Sequence, residues 1–393
     1  MSHPTQYHTP WFQELAQQPE VELEVLYCFR PNAIQQGAGF GVPFQWDIAL
    51  LDGYNYRFLE NVARRPGFNF RGCDTPDIGR VIDKTGYDVL LINGWNVQSY
   101  WQAMRACWDR QLPAMIRGDS HLRKPRSAAT RLFKHATIGR CLSRFNAVLT
   151  VGTLNEDFFE HYGADRTRFF PVRHFIDNEL FAARAADAST RLAELRCRWN
   201  ISADDFVVLF AGKFIDVKRP MDAIFAVERA NHPCLHLLMV GDGTLRDRCE
   251  KYARERNIRV TFAGFLNQRQ MPEAYAIADL LVLPSSTETW GLVVNEAMAC
   301  GIPALVTDRV GCAPDLIALG ETGGTFEVGN ISALASLLRE YATDRARATE
   351  EGIRAKARVV PYNRMSAARH TVHACTFATT HAAHSEGARP WGD

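Results

Sequence analysis

Short apolar runs alternate with longer amphipathic stretches along most of this 393-residue chain. Runs of about four to eight apolar residues are typical of strands buried on both faces, and a period of about 3.6 residues is typical of helices. The runs that predict strands are 22–29, 87–94, 112–118, 147–152, 167–173, 206–212, 236–242, 259–264, 280–285 and 302–307. Stretches between them, such as 98–110 and 128–142, predict helices. This alternation predicts parallel sheets covered by helices, an α/β fold.

The alternation is interrupted over residues 177–205, which are rich in alanine and charge and contain no apolar run. A chain of this length exceeds one ordinary core, so the interruption predicts a domain junction. We expect one Rossmann-like domain over 1–180 and a second over 181–360. A helix over 361–378 that can cross back to the first domain and a mobile tail over 379–393 complete the predicted organisation.

The composition is that of a globular protein without a bulk charge preference. With 45 Lys and Arg against 44 Asp and Glu, the net charge is +1, so no global attraction to nucleic acid is expected. The apolar runs are shorter than the ~20 residues that span a bilayer, and no signal peptide is visible at the start. The ten cysteines form no CxxC pair and no metal spacing. We therefore expect a reducing compartment, the cytoplasm, and no structural zinc.

Two acidic residues, Glu288 and Glu296, lie eight positions apart between two predicted strands. Glu288 belongs to a loop, and Glu296 lies in a predicted helix over 292–299 that Gly301 closes. The amino end of this helix, around 290–292, suits a phosphate because its backbone N–H groups lack helical partners. A carboxylate further along could accept hydrogen bonds from two adjacent ribose hydroxyls. The pair predicts a nucleotide-sugar site; the alternatives are an ordinary loop acid and a partly exposed helix charge paired with an arginine.

The segment AYAIADLLVLPSSTETWGLVVNEAMACGIPALVTD, residues 274–308, resembles the signature of the retaining glycosyltransferases of family 4. That signature has a Glu, seven residues and a second Glu, followed by an EAMACG-P run, and Glu288 and Glu296 match the spacing. The match extends over 206–326 and weakens to strand order in the amino-terminal half. The resemblance implies the GT-B fold, in which two Rossmann-like domains face each other across a cleft, and sugar transfer with retention.

A second motif, FAGKFIDVKRPMDAI at 210–224, supplies positive charge. This chain has Lys213 where the family usually has Arg, Lys218 matches the family Lys, and Arg219 takes the position of a Gly. The resemblance implies that Lys213 and Lys218 neutralise the donor diphosphate and the charge that grows on it as the sugar leaves. Because lysine offers a point charge where arginine offers a fork, the diphosphate geometry can differ. Two solvated lysines after a strand are the alternative interpretation.

The glycine-rich loop GAGFGVP at 37–43 follows the first predicted strand. It is not the GxGxxG fingerprint of dinucleotide sites, so a dehydrogenase is not expected. The resemblance implies that its glycines face the donor phosphates and the acceptor, and the turn at 264–268 is expected to contact the base, largely through its backbone. The predicted donor-binding residues are Glu296, Gly39, Gly41, Gly212, Gly264, Phe265, Leu266, Thr289, Trp290, Gly291, Leu292 and Val293.

The stretch MIRGDSHL at 115–122 follows another predicted strand. Many family members have a His here beside the reacting sugar. Counted along this chain, that position is Asp119, and His121 follows two residues later. We expect one of the two to orient the acceptor hydroxyl; the alternative is that both only cap the loop. The predicted catalytic residues are Glu288, Lys218, Lys213, Asp119 and His121.

Residues 121–144 contain seven Lys or Arg and no Asp or Glu. A solvated helix face is the favoured interpretation. The alternatives are peripheral contact with an anionic membrane surface, at the inner face of the membrane, and a charged acceptor. No aromatic stacking platform accompanies the charges, so nucleic acid is not expected.

These features predict a glycosyltransferase that moves a sugar from a nucleotide diphosphate donor to a small-molecule, glycan or lipid-linked acceptor. UDP is the expected nucleotide from family frequency, with GDP and ADP as alternatives. No cofactor and no metal are expected, because no Asp-any-Asp motif stands in a suitable place. The alternative functions are a nucleotide-sugar epimerase or hydrolase on the same fold and a non-catalytic sugar-binding protein.

Overall fold

The computed structural model describes residues 1–123, 127 and 134–382. The strands are β1 (Glu24–Tyr27), β2 (Asn55–Phe58), β3 (Leu90–Ile92), β4 (Ala114–Arg117), β5 (Ala147–Leu149), β6 (Phe169–Phe170), β7 (Phe206–Ala211), β8 (Leu235–Val240), β9 (Val260–Gly264), β10 (Leu280–Leu283), β11 (Ala304–Thr307) and β12 (Gly323–Phe326). The helices are α1 (Thr9–Leu15), α2 (Ala33–Gln36), α3 (Ile78–Thr85), α4 (Gln98–Asp109), α5 (Arg140–Leu142), α6 (Thr153–His161), α7 (Asn178–Ser189), α8 (Leu192–Arg198), α9 (Pro220–Ala230), α10 (Arg246–Glu255), α11 (Met271–Ile277), α12 (Leu292–Ala299), α13 (Ala313–Leu316), α14 (Ile331–Thr343), α15 (Arg345–Val359) and α16 (Arg364–Ala382).

The chain divides into two compact units. Unit 1 comprises Met1–Pro31, Leu50–Arg173 and Arg364–Asp393, and unit 2 comprises Asn32–Ala49 and His174–Asn363. Helix α16, near the predicted 361–378 helix, therefore belongs to unit 1. The segment Asn32–Ala49 belongs to unit 2, whereas the sequence pattern had joined it to the amino-terminal domain.

Side-chain contacts explain why Asn32–Ala49 belongs to unit 2. The Phe44 ring lies 4.3 Å from the Phe265 ring, and the Phe40 ring lies 5.0 Å from it. The Asn267 side-chain amide donates a hydrogen bond of 2.8 Å to the carbonyl oxygen of Gln45. These contacts join residues more than 200 positions apart, so a local hydrophobic pattern could not have indicated them.

The described strands of unit 1 form a β1-β2 pair and a separate sheet in the order β3-β4-β5-β6, with every neighbouring pair parallel. Strand β4 is buried along its whole length. Helix α16 is fixed at its middle, where the buried Trp11 indole donates a hydrogen bond of 3.2 Å to the Thr371 hydroxyl.

The described strands of unit 2 form one sheet in the order β12-β11-β10-β7-β8-β9, and every pairing is parallel. Counted within the unit this order is 6-5-4-1-2-3, the Rossmann arrangement, in which the strand order reverses between the first and fourth strands. Here those strands are β7 and β10. All six residues of β7 and of β8 are buried. Together with unit 1, this sheet confirms the predicted α/β class with two parallel-sheet domains.

Every predicted strand is present, and helix α12 has the predicted bounds, but β2 and β12 were not predicted. Strand β2 has three exposed residues and one half-buried residue, so it lacks the buried apolar run by which the other strands were predicted. Strand β12 starts with two glycines, because a Cβ atom at Gly323 would lie 1.9 Å from the carbonyl oxygen of Ala304 on the neighbouring strand. The first residue of this strand is thus set by the close approach of two backbones and not by hydrophobic burial.

Two sequence predictions fall wholly or partly outside the described residues. In the basic stretch over 121–144, residues 124–126 and 128–133 lie outside them. In the predicted mobile tail over 379–393, the first four residues are helical and 383–393 lie outside. Within the described part of the chain, no helix combines the length and the apolar character needed to cross a membrane.

Candidate functional site

Three of the predicted catalytic residues follow the two strands at which the order of the unit 2 sheet reverses. Lys213 and the short turn Asp216–Lys218 follow β7, and Glu288 follows β10. These strands are direct neighbours, with Leu281 paired to Leu209. Open parallel sheets bind ligands outside the carboxyl ends of their strands at such a reversal. The topology therefore brings both lysines and Glu288 to the place where a ligand is expected.

Lys218 and Glu288 form an ion pair in which the Lys218 ammonium donates to the Glu288 carboxylate. Only 23% and 16% of the two side chains are exposed. The loop before Glu288 is tied to the turn that carries Lys218, because the backbone N–H and the hydroxyl of Ser286 both donate to the carbonyl oxygen of Val217, at 2.9 and 3.2 Å. The pair is thus held by backbone contacts as well as by charge.

The amino end of helix α12 follows Glu288 directly. Gly291 precedes the helix with a φ of 101°, in the left-handed region. A Cβ atom at Gly291 would lie 3.1 Å from Leu283 and 3.2 Å from Val310, so the position needs glycine for both conformation and space. Because the first N–H groups of a helix have no intrahelical partner, this end offers donors and a partial positive charge beside Glu288.

Two neighbouring residues shape this loop. Trp290, a predicted donor-binding residue, is 3% exposed, and its indole donates a hydrogen bond of 2.8 Å to Asn295. Its side chain therefore supports the helix start, and only its backbone remains for a ligand. Gly311 was not predicted; a Cβ atom there would lie 1.9 Å from the carbonyl oxygen of Thr289. Gly311 follows the quoted signature segment 274–308, and the close approach of the two backbones reveals why a glycine stands there.

Glu296 lies one helical turn inside α12 and is 4% exposed. Its carboxylate accepts a hydrogen bond of 2.7 Å from the hydroxyl of Tyr275 on helix α11. Burial, and after it the charge of Glu296, raises the pKa of the Cys300 thiol. Glu296 is therefore a buried acid and not the partly exposed helix charge of the alternative interpretation. Tyr275 was not predicted, although a buried tyrosine hydroxyl usually has a hydrogen-bond partner.

The glycine-rich loop lies directly on Lys213. The Lys213 ammonium donates a hydrogen bond of 2.8 Å to the carbonyl oxygen of Ala38 and lies 4.8 Å from the centre of the Phe40 ring. Gly39 and Gly41 have φ values of 86° and 78°, and a Cβ atom at Gly39 would lie 3.1 Å from the Lys213 ammonium. Burial, and after it the charge of Lys218, lowers the pKa of Lys213. Lys213 and Lys218 are close enough for their charges to repel each other. A bound anion would reduce this repulsion and stabilise the charged form of Lys213.

The predicted base-contacting turn begins at Gly264, which has a φ of 74°. The Phe265 ring packs against the rings of Phe40 and Phe44, which fixes this turn against the glycine-rich loop. Arg246 lies beside Gly264 and donates a hydrogen bond of 2.6 Å to Asp242. Asp242 and Arg246 were not predicted as part of the site, although both lie in the stretch that resembles the family. The turn, the glycine loop and Lys213 thus share one edge of the sheet.

Arg219 adopts the backbone conformation that explains the usual glycine of the family motif. Its φ of 52° and ψ of 50° lie in the left-handed region, which costs a non-glycine residue about 1 kcal/mol. Its guanidinium binds the Asp222 carboxylate through two hydrogen bonds of 2.6 and 3.1 Å. The charge of Arg219 is therefore paired within its own turn.

Asp119 and His121 lie in unit 1, in the loop after β4. His121 is 3% exposed, and its ring accepts a hydrogen bond of 3.2 Å from the backbone N–H of Arg123, which is a loop-capping contact. Asp119 is half-buried beside Arg117. Burial lowers the pKa of Arg117 to about 10, and the charge of Asp119 raises it in part. Of the two, Asp119 is the more accessible, and the catalytic role of either residue stays a prediction.

Among residues 1–123, 127 and 134–382, no group of three or more His, Cys, Asp or Glu side chains is arranged to hold a metal ion. The described site instead offers two ammonium groups, a helix amino end and carboxylates. The ammonium groups and the helix end suit an anion, and the carboxylates suit hydroxyl groups attached to it, as in a sugar diphosphate.

Comparison with known proteins identifies relatives of the chain. Residues 193–359, all within unit 2, match the family model of the glycosyl transferases group 1. The chain is 31% identical over 305 residues to a D-inositol 3-phosphate glycosyltransferase of Corynebacterium glutamicum, covering 69% of this chain and 68% of that protein. It is 32% identical over 193 residues to an N-acetyl-alpha-D-glucosaminyl L-malate synthase of Bacillus anthracis, but it covers only 48% of the length of that protein.

Solved structures share the fold at low sequence identity. Anabaena Alr3699/HepE, crystallised in complex with UDP, has a TM-score of 0.71 at 16% identity, with 94% of this chain and 97% of that chain covered. A glycosyltransferase of Rickettsia africae has a TM-score of 0.71 at 13% identity, with 94% and 93% covered. The predicted GT-B fold class is confirmed by these likenesses together with the parallel sheets of both units.

Proposed function

Because the chain belongs to the group 1 glycosyltransferases, we propose that it transfers a sugar from a nucleotide diphosphate donor to an acceptor hydroxyl. The observation that carries this proposal is the convergence of Lys213, Lys218, Glu288 and the amino end of α12 where the sheet order reverses. Together with Glu296, these groups have natural counterparts on a nucleotide-sugar: the diphosphate, the sugar hydroxyls and the ribose.

In the proposed complex the diphosphate lies between the two lysines and the amino end of α12. Lys213 carries a lowered pKa because it is buried near Lys218, and a bound diphosphate would relieve this repulsion. As the bond between sugar and phosphate breaks, negative charge grows on the leaving phosphate. Preorganised cations stabilise that charge more than the charge of the ground state, which is how they accelerate the reaction.

The two glutamates take different parts of the donor in this proposal. Glu288 accepts hydrogen bonds from the sugar hydroxyls, and its ion pair with Lys218 holds it in place. Glu296 accepts from the ribose hydroxyls. A double displacement of the glycosidase type would need two carboxylates flanking the anomeric carbon. With Glu296 on the ribose, only one carboxylate is left for the sugar.

We therefore propose retention by a front-side path through an oxocarbenium-like state. The bond from the anomeric carbon to the phosphate oxygen breaks, and a bond from the same carbon to the acceptor oxygen forms on the same face. The acceptor proton passes to the leaving phosphate oxygen. Either Asp119 or His121 would orient the acceptor hydroxyl in this scheme.

We further propose that transfer needs no metal, because the lysines and the helix end supply the positive charge. Activity should then survive EDTA. Loss of activity in EDTA with recovery in Mg²⁺ or Mn²⁺ would contradict this part of the proposal.

The experiment that tests the function follows release of the nucleotide from UDP-, GDP- and ADP-sugars. UDP is tested first, because the Anabaena neighbour was crystallised with it. D-inositol 3-phosphate and L-malate are the first acceptors, because the names of two relatives contain them. We expect acceptor-dependent release that Lys218→Ala lowers about 100-fold or more. Rapid turnover without any acceptor would favour an epimerase or hydrolase, and binding without turnover would favour a non-catalytic sugar-binding protein.

A further inference from the structure

A tyrosine on a separate helix holds the carboxylate of Glu296. The hydroxyl of Tyr275, on α11, donates a hydrogen bond of 2.7 Å to Oε2 of Glu296, on α12. Tyr275 is 1% exposed and Glu296 is 4% exposed. A buried hydroxyl needs an acceptor and a buried carboxylate needs donors, so each of the two groups meets a requirement of the other.

The tyrosine ring is itself fixed by its surroundings. Helix α11 starts with Met271 and Pro272, and proline at the start of a helix sets the backbone for the turn that carries Tyr275. The ring lies 6.2 Å from the ring of Phe181 on α7. Three helices therefore determine where the hydroxyl points, and through it where the carboxylate of Glu296 lies.

We propose that Tyr275 is a positioning residue for donor binding, which orients the Glu296 carboxylate towards the ribose of the nucleotide. This inference rests on the proposed function, in which Glu296 receives the ribose hydroxyls. A carboxylate has about four lone-pair sites, and the bond from Tyr275 uses one of them. The bond fixes the plane of the carboxylate, so ribose hydroxyls meet acceptors that are already in place and less ordering is needed on binding.

The test compares two ligands that differ only in the ribose. Binding of UDP and of 2′,3′-dideoxy-UDP is measured by calorimetry for the wild type and for Tyr275→Phe, which removes the hydroxyl and keeps the ring. We expect the wild type to prefer UDP at least tenfold. In Tyr275→Phe we expect UDP binding to weaken about tenfold, which corresponds to about 1.4 kcal/mol, while dideoxy-UDP binding stays unchanged.

A matched control comes from a second buried tyrosine–glutamate pair in unit 2. The hydroxyl of Tyr341 donates a hydrogen bond of 2.5 Å to Glu351, and both residues are fully buried. Neither residue belongs to the proposed site. Tyr341→Phe should lower the melting temperature as Tyr275→Phe does but leave the preference for ribose intact. In turnover assays, Tyr275→Phe should raise the donor KM with little change in kcat, whereas Tyr341→Phe should change neither.

The outcomes separate this inference from the function on which it rests. If Tyr275→Phe weakens both ligands equally, or keeps the full preference for UDP, the positioning role is overturned and the donor site stands. If the wild type binds UDP without any ribose preference, the assignment of Glu296 fails and the role of Tyr275 fails with it. If the wild type binds none of UDP, GDP and ADP, the proposed function itself is overturned.

A second variant keeps the inference testable if Tyr275→Phe does not fold. Glu296→Gln retains the size of the side chain and an acceptor for the tyrosine hydroxyl but removes the charge. It should lose the same ribose preference at unchanged affinity for dideoxy-UDP. Retention of that preference in Glu296→Gln would overturn the inference.

Discussion

The two units both contain parallel sheets, but the sheets differ in how they bring candidate polar residues together. In unit 2 the described strands join in a single sheet, and the residues after β7 and β10 meet at its carboxyl edge. In unit 1 the β1-β2 pair and the β3-β4-β5-β6 sheet are separate, and each of these six strands has two to four residues. The family match also lies wholly in unit 2.

The difference extends to how charged groups are fixed. In unit 2 Lys218 is paired with Glu288 across 70 residues of sequence, and the backbone of Ser286 secures the pair. In unit 1 the loop after β4 combines a local bond, from the Arg123 N–H to the ring of His121, with a long-range bond of 2.9 Å from the Asn155 amide to the carbonyl oxygen of Ser120. Both loops are thus tied to distant parts of their own unit, but only the unit 2 loop carries a cation paired with a carboxylate among the candidate residues.

The largest effect is expected from Lys218→Ala, which removes a cation from the centre of the unit 2 site. Loss of one preorganised charge-stabilising group typically lowers the rate about 100-fold or more. We expect kcat/KM for the donor to fall by about this factor, measured by nucleotide release. Lys251→Ala, at an exposed lysine of unit 2, serves as the control and should have no effect. A change of only a few-fold in Lys218→Ala would contradict the assigned role.

A pair of glycine substitutions compares the two units directly. Gly291 and Gly163 have similar φ values of 101° and 90°, but a Cβ atom at Gly163 would have no neighbour within 4 Å. Gly163→Ala should cost about 1 kcal/mol from its left-handed backbone. Gly291→Ala should cost about 3 kcal/mol, because crowding against Leu283 and Val310 is added to the same strain. Urea denaturation measures both; equal costs would show that the loop before α12 is loosely packed.

A substitution in unit 1 tests whether the two units have separate roles. Asp119→Asn removes the charge of the more accessible candidate and keeps its size. We expect kcat to fall about tenfold, at the lower end of what an acid–base or orienting group contributes. Binding of UDP should be unchanged in the same variant. If UDP binding weakens instead, Asp119 belongs to the donor site, and the separation of roles between the units is wrong.

The smallest effect concerns the pH dependence of Lys213. Its pKa lies below the ordinary lysine value of about 10.4, and the charged form binds the diphosphate. UDP affinity should therefore be highest at pH values below the lowered pKa of Lys213 and should fall as the pH rises through that pKa. Lys213→Arg keeps its charge at every accessible pH, so its affinity should stay constant while that of the wild type falls a few-fold. Parallel pH curves for the two proteins would contradict this account.

The sequence predicted the parts of the fold and site that depend on local pattern. Every predicted strand was found, because buried parallel strands give continuous apolar runs. The bounds of α12 followed from Gly291 and Gly301 at its two ends. Strand β12 escaped prediction because the reason for its first glycine is the backbone of β11.

Long-range contacts account for the rest. Tyr275 and Gly311 lie within the stretch that resembles the family, but the role of each depends on a partner elsewhere in the chain, Glu296 in one case and Thr289 in the other. The segment Asn32–Ala49 was joined to the wrong domain for the same reason, since its aromatic contacts with Phe265 have no local signature.

The most direct test of the account is thermal stabilisation by UDP, GDP and ADP of the wild type, Lys218→Ala and Glu296→Ala. A ligand at 100 times its dissociation constant stabilises a protein by about 2.7 kcal/mol, which a melting curve resolves easily. We predict that one of the nucleotides, with UDP expected, stabilises the wild type and that both variants lose this stabilisation. Equal stabilisation of all three proteins would show that the nucleotide binds away from Lys218 and Glu296. No stabilisation by any nucleotide would contradict a donor site in unit 2.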